Sequence, residues 1–247
     1  MIRVSVRFYA ELNDFLPSRR RQVWIEHALD ESHAVKHVIE TLGVPHPEVD
    51  LILVNGESVD FTYRVQDGDR ISVYPVFESF DISPLVKVRP RPLRETRFVL
   101  DVHLGTLAGY LRMLGFDTLY RNDYHDSELA EISQRESRIL LTRDRGLLMR
   151  SAVSHGYLLR ASDPRRQLAE VVRRFDLGSS VRQFTRCLRC NGLLDPVAKE
   201  AILDRLLPRT RRYYDTFAAC RDCGRIYWPG SHYEDMQRRL EGLLAPG

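Results

Sequence analysis

The sequence predicts an α/β protein in three parts: a small N-terminal α/β module, a parallel-sheet core and a C-terminal cysteine-bound ribbon. Three observations carry this. From residue 97 to 178, short apolar runs alternate with amphipathic stretches, the pattern of strands joined by crossover helices. Two of the runs, Phe98-Val99-Leu100 and Ile139-Leu140-Leu141, lead into the acidic residues Asp101 and Asp144. All four cysteines lie after residue 186, as Cys187-x-x-Cys190 and Cys220-x-x-Cys223.

Composition bounds the classes. The 247 residues suffice for two domains, or one large and two small. Hydrophobic content of 43% and charged content of 29% describe a globular chain. No apolar run approaches the roughly 18 residues of a membrane span. The N-terminus, MIRVSVRFYAELNDFL, alternates and is charged, unlike a signal peptide, so a cytoplasmic protein is expected. The net charge of +3 is too small to argue for nucleic acid. Lysine occurs only at Lys36, Lys87 and Lys199, so nearly all positive charge is arginine. Arginine suits bidentate phosphate contacts, although a GC-rich genome gives the same bias.

In the module, residues 1–80, Ile2, Val4, Val6 and Phe8 alternate with polar residues as a strand does. Gln22 to Glu26, with Val23 and Ile25 on one face, is read as its hairpin partner. Ser32 to Leu42 carries Val35, Val38, Ile39 and Leu42 at helical spacing, and Gly43 stops it. Leu51 to Val54 is a strand ending in the Asn55-Gly56 turn. Asp67-Gly68-Asp69 precedes a last strand, Arg70 to Tyr74. This order, with VNGE and DGDRISVYP, resembles the ubiquitin-like β-grasp of small sulfur-carrier proteins over roughly residues 1–76. Such carriers end in an activated Gly-Gly. Here the strand runs on into Pro75-Val76-Phe77-Glu78, which argues against sulfur transfer and for binding a protein partner or scaffolding. Residues 81–96 form a proline- and arginine-containing linker.

The core, residues 97–180, begins with the strand ending at Asp101. A helix follows on Leu104, Leu107, Ala108, Leu111 and Leu114, stopped by Gly115. Asp117 to Tyr120 is a second strand. Asp126-Ser127 opens a helix on Leu129 and Ile132. Ile139 to Thr142 leads to Asp144, Leu147-Leu148 starts a short helix, and Tyr157-Leu158-Leu159 is a fourth strand. Gln167 to Phe175 closes the core as a helix.

In open parallel sheets, sites form beyond the carboxyl ends of strands. Asp101 and Asp144 at strand ends and Asp126 at a helix start can converge there. Like charges about 4 Å apart repel by roughly 4 kcal/mol at an effective dielectric near 20, so such a cluster calls for a cation. All-oxygen ligation suits Mg²⁺ or Mn²⁺, which activates water against a phosphate. Each acid has a plainer reading: Asp126 as an N-cap, Asp101 as a turn residue, Asp144 as the partner of Arg143 or Arg145. Asp123 and Glu128 are read as solvated. Asp163 is read as an N-cap with a fourth-ligand role as the alternative, and His103 as lining the pocket.

The stretches FVLDVHLGTLAGYLRMLGFDT, DSELAEIS and RILLTRDRGLL, with RCLRCNGLL and CGRIYWPGSHYEDM, resemble the PIN-like ribonuclease domain named from the C-terminal part of the Mut-seven exonuclease. The resemblance covers about residues 97–240, and bacterial members of that family also carry a β-grasp in front. It implies an acidic metal-binding triad at Asp101, Asp126 and Asp144, phosphate contacts from Arg143 and Arg145, and RNA as substrate.

In residues 181–247, four thiolates match structural Zn²⁺, with Asn191-Gly192 and Gly224 turning backbone amides towards sulfur. Redox dithiols and unligated thiols are the alternatives. A helix is read over Val197 to Leu206. The run Pro208 to Tyr214, with Arg211 and Arg212, either grips a nucleic-acid strand or packs on the core. His232 precedes a terminal helix, Tyr233 to Leu244. The reading is a metal-dependent ribonuclease. The alternative is a non-catalytic RNA-binding or adaptor protein.

Overall fold

The computed structural model describes residues 1–75 and 96–230. The linker through residue 95, His232 and the expected terminal helix lie outside the described residues.

The N-terminal module contains β1 (Ile2–Phe8), β2 (Ile25–Leu29), α1 (Val35–Thr41), β3 (Val49–Val54), β4 (Glu57–Val59) and β5 (Arg70–Pro75). Its sheet order is β2-β1-β5-β3-β4; β1 and β5 are parallel and the other pairs antiparallel. This is the expected ubiquitin-like β-grasp. Alternation along β1 turns Val4, Val6 and Phe8 inward onto Val35, Val38 and Ile39 of α1. Asn55 and Gly56 take φ of 53° and 92° and close a two-residue hairpin in which Val54 faces Glu57.

Two boundaries differ from expectation. The partner of β1 starts at Ile25, because Gln22 turns at φ 58° and gives its amide to the Asn13 side chain at 2.7 Å. Val23, expected on one face with the buried Ile25, is 47% exposed. The helix starts at Val35 because Ser32 Oγ donates to Val65 O and Val35 N to Tyr63 O, which holds residues 32–34 extended.

The next elements are β6 (Arg97–Leu100), α2 (Gly105–Met113), β7 (Asp117–Leu119), α3 (Asp126–Glu136), β8 (Ile139–Thr142), α4 (Arg145–Leu148), β9 (Gly156–Leu158) and α5 (Pro164–Arg174). β6 pairs with β7 and β8 with β9, both in parallel. Every residue of β8 is buried, as an unbroken apolar run in a parallel sheet requires. α5 begins three residues earlier than expected, with Asp163 as N-cap and Pro164 at the first helical position.

The ribbon contains β10 (Leu194–Val197), α6 (Pro208–Tyr213), β11 (Phe217–Cys220) and β12 (Ile226–Tyr227), an antiparallel sheet in that strand order. The helix expected from Val197 to Leu206 is instead a 3-10 helix over Lys199–Arg205, since Val197 pairs with Phe217 in the sheet.

The chain forms two compact units. One takes the N-terminal module together with His125–Leu158; the other takes Thr96–Tyr124 and the chain from Leu159 onward. In the first unit, Arg145 Nη1 donates to Phe15 O and Gly43 O, both at 3.3 Å. His46 Nε2 donates to Val153 O at 2.6 Å, and Leu158 N donates to Glu48 Oε1 at 2.6 Å. Leu158 also packs against the apolar core of the module. In the second unit, the buried Arg112 of α2 donates to Thr118 O, Leu188 O and Arg189 O, each at 3.0 Å. Asn191 accepts from Thr118 N at 2.9 Å and donates to Asp117 at 2.8 Å, so the first cysteine loop is fastened to α2 and β7.

Candidate functional site

Asp101 follows the buried strand β6 and is only 8% exposed. Its Oδ1 accepts from Val102 N at 2.6 Å and its carbonyl from Leu104 N at 2.9 Å, so it caps the 3-10 turn Val102–Leu104. The same turn is held from the other side by Tyr120, whose hydroxyl donates to Val102 O at 2.9 Å. A Cβ on Gly105 would lie 2.7 Å from that hydroxyl, which explains a glycine at the start of α2. His103 lies in this turn, exposed.

Asp126 and Asp144 belong to the other compact unit. Asp126 is the first residue of α3, whose N-cap is His125, and its carboxylate lies 3.8 Å from Arg150 Nη2. A carboxylate in a first helical turn is favoured by the helix dipole. Asp144 is exposed and caps α4: Oδ1 accepts from Gly146 N at 2.7 Å, and its own amide donates to Thr142 Oγ1 at 2.9 Å. Asp123 pairs with Arg121 at 2.9 Å in an exposed position, and Asp163 caps α5 through Arg165 N and Arg166 N.

The structure brings the four cysteines together: their sulfurs all lie within 4.8 Å of one another. Sγ of Cys187 and Cys223 are 3.6 Å apart and those of Cys190 and Cys220 are 3.4 Å apart. A tetrahedral ion with bonds of ~2.3 Å to sulfur needs edges of about 3.8 Å, so the set fits zinc after small shifts of the sulfurs. Positive φ at Asn191 (72°) and Gly224 (67°) closes the two loops. Asn191 rather than Gly192 takes the left-handed conformation in the first, and its amide side chain bonds Asp117 and Thr118. Gly192 is needed for space, since a Cβ there would lie 2.9 Å from Cys220 Sγ.

The thiols are unequal. Burial pushes the Cys187 thiol up, but hydrogen bonds from the Tyr227 hydroxyl and the amides of Cys190 and Arg189 outweigh it and bring it to about 6. Burial, together with the neighbouring thiols, drives Cys190 up to about 12 against a bond from Gly192. Four thiolates this close therefore require a cation, and a zinc ion there would be bound with release of protons. Tyr227 sits 3.1 Å from Cys187 Sγ and accepts from Leu188 N at 3.1 Å, a supporting bond of the kind that orients a metal-binding thiolate. Charge at Cys187 and Cys190 is also countered by Arg112 beneath the loop, whose pKa burial lowers and these thiols raise.

Of the arginines expected to meet phosphate, three have contacts within the chain. Arg143 is exposed. Arg145 reaches the carbonyls of Phe15 and Gly43. Arg211 donates to Leu203 O, and the Arg212 guanidinium lies 5.6 Å from the centroid of the Tyr213 ring. Sequence reasoning missed Tyr120, Arg112, His46 and Glu48, which act through backbone groups and carry no motif.

The described chain thus combines a ubiquitin-like module, a parallel α/β part and a four-cysteine ribbon. Residues 96–240 match the family model described as the Mut7-C RNAse domain, and residues 1–81 match the one described as Mut7-C ubiquitin. The chain belongs to the Mut7-C RNase family, which carries a nuclease, RNA-related function. No curated protein and no solved structure matches it. Among the described residues no helix is long and apolar enough to cross a membrane.

Proposed function

We propose that the protein is a cytoplasmic, metal-dependent ribonuclease that hydrolyses RNA phosphodiester bonds. The observation that carries this reading is the match of residues 96–240 to an RNase domain whose strand ends bear Asp101 and Asp144. Asp101, Asp126 and Asp144 would hold Mg²⁺ or Mn²⁺, which supplies Lewis acidity and a more acidic bound water. The carboxylates would orient that water and supply the negative charge that holds the cation. Arg143, Arg211 and Arg212 would neutralise phosphate charge along the strand, with residues 97–180 as the nuclease domain; Arg145, read the same way from sequence, holds Phe15 O and Gly43 O instead. Zn²⁺ on Cys187, Cys190, Cys220 and Cys223 would be structural, within a ribbon domain of residues 181–247. Residues 1–80 would form the β-grasp domain, which also offers a surface for a protein partner, and 81–96 the linker.

Asp144→Asn tests the assignment. Asn still caps a helix, so folding is retained. Cleavage of labelled RNA in Mn²⁺ is expected to fall by about 10²-fold or more, the scale of losing one charge-stabilising group. Cleavage at the wild-type rate would remove Asp144 from the site. One observation favours a second reading: Asp101 and Asp144 each already cap a turn or helix. On that reading the acids serve structure in an RNA-binding or adaptor protein, RNA binding is indifferent to Mg²⁺, and no metal gives turnover.

A further inference from the structure

We propose that the N-terminal module is a positioning element for Asp144, acting through Arg145, His46 and Glu48; the catalytic part of this statement rests on the ribonuclease reading above. Asp144 is followed at once by Arg145, whose Nη1 is captured by Phe15 O and Gly43 O of the module. Further along, Val153 O accepts from His46, and Leu158 N, in β9, donates to Glu48. The segment that leaves Asp144 is thus gripped near its start, middle and end by one face of the module, residues 43–48 plus the carbonyl of Phe15.

The grip is built rather than incidental. His46 is 5% exposed and Glu48 fully buried. Stripping the partner from a buried carboxylate or ring nitrogen costs far more than breaking a hydrogen bond at the surface, so these bonds hold the segment in one place. His46 is itself fixed on its other side, with Nδ1 2.7 Å from Glu40 Oε1 of α1. Gly43, whose carbonyl accepts from Arg145, has φ 102°, a conformation that side-chain-bearing residues rarely adopt. α4 spans only four residues, too short to hold itself, so the place of the capping turn that carries Asp144 depends on what its neighbours are tied to. Arg145 is accordingly a positioning residue. The module does more than recruit a partner.

Hydrogen exchange on the full-length chain, without RNA, tests this independently of any activity. In Glu48→Ala and in Arg145→Ala, amides of residues 144–148 are expected to exchange about tenfold faster, while those of α2 in the other compact unit keep their wild-type rates. Glu48→Gln, which keeps an acceptor for Leu158 N, is expected to restore protection. Arg145 is exposed, so its variant folds even if Glu48→Ala does not. Unchanged protection at 144–148 in Arg145→Ala, or equal acceleration across both units, would overturn the proposal. If the exchange result holds but the wild type cleaves no RNA in Mn²⁺, the clamp stands and the ribonuclease reading fails. If the wild type cleaves, Arg145→Ala is expected to raise the Mn²⁺ concentration for half-maximal rate severalfold; an unchanged value counts against positioning.

Discussion

Gly105→Ala tests the turn that carries Asp101. A methyl group there would meet Tyr120 Oη at 2.7 Å, Cζ at 2.9 Å and Cε1 at 3.2 Å. The ring must move, and in moving it withdraws the hydroxyl from Val102 O. Repacking of this kind costs about 1–3 kcal/mol, and the broken hydrogen bond about 1 kcal/mol more. Gly105 has an ordinary helical φ of −57°, so alanine regains about 0.5–1 kcal/mol of helix propensity. The net expectation is about 1–3.5 kcal/mol of destabilisation, read as a lower urea midpoint by circular dichroism. Tyr120→Phe alone is expected to cost about 1 kcal/mol. The double variant loses the hydrogen bond only once and lacks the closest clash, so it should be less destabilised than the sum by about 1–2 kcal/mol. Additivity within about 0.5 kcal/mol would mean that the Tyr120 hydroxyl does not sit over Gly105.

Replacing the buried Arg112 with methionine strips three carbonyls of their donor, and the melting temperature should fall by an amount corresponding to about 3 kcal/mol or more. Zinc retained per chain, measured by atomic absorption, is expected to drop with it; a variant as stable as wild type would show that the arginine anchors nothing. In chelator-treated protein, Cys187 has a folded value near 6 against an ordinary 9. It therefore contributes stability that is full above about pH 9 and lost as pH falls through about 6. The difference in urea midpoint between wild type and Cys187→Ser should shrink over that window, and a constant difference would contradict the assignment.

Much of the architecture was legible in the sequence, and particular residues show why. Alternation in β1 and the Asn55-Gly56 turn follow from local chemistry, as do the C-x-x-C loops and the apolar run of β8. Each encodes its own conformation. The errors fall where a distant group decides. Ser32 to Ala34 read as helix but are tied to residues 63–65. Val197 read as the start of a helix but is claimed by β11. The fastening of the module through Phe15 O and Gly43 O was invisible, because every residue has a carbonyl. Glu48 is a polar residue in a mixed stretch, and its partner at Leu158 N lies 110 residues away in the chain. At the candidate site, residue types and strand ends were readable. Arg145 was not, since an arginine beside an acid looks the same whether it faces phosphate or backbone.

The pairing of the first seventy-five residues with His125–Leu158 also has a consequence for synthesis. The module leaves the ribosome with its own apolar core complete, but without the segment it is shaped to hold. At roughly 5–20 residues per second, the intervening fifty or so residues take a few seconds to follow. Residues 96–124 emerge in that interval, while α5, which packs on α2, begins only at Pro164. The nascent chain thus carries a finished receptor, then an orphaned βαβ fragment, then the receptor's ligand. A pause once residue 124 has emerged from the ribosome would lengthen the exposure of Phe98, Leu107 and Leu111, whereas the first module would wait unharmed.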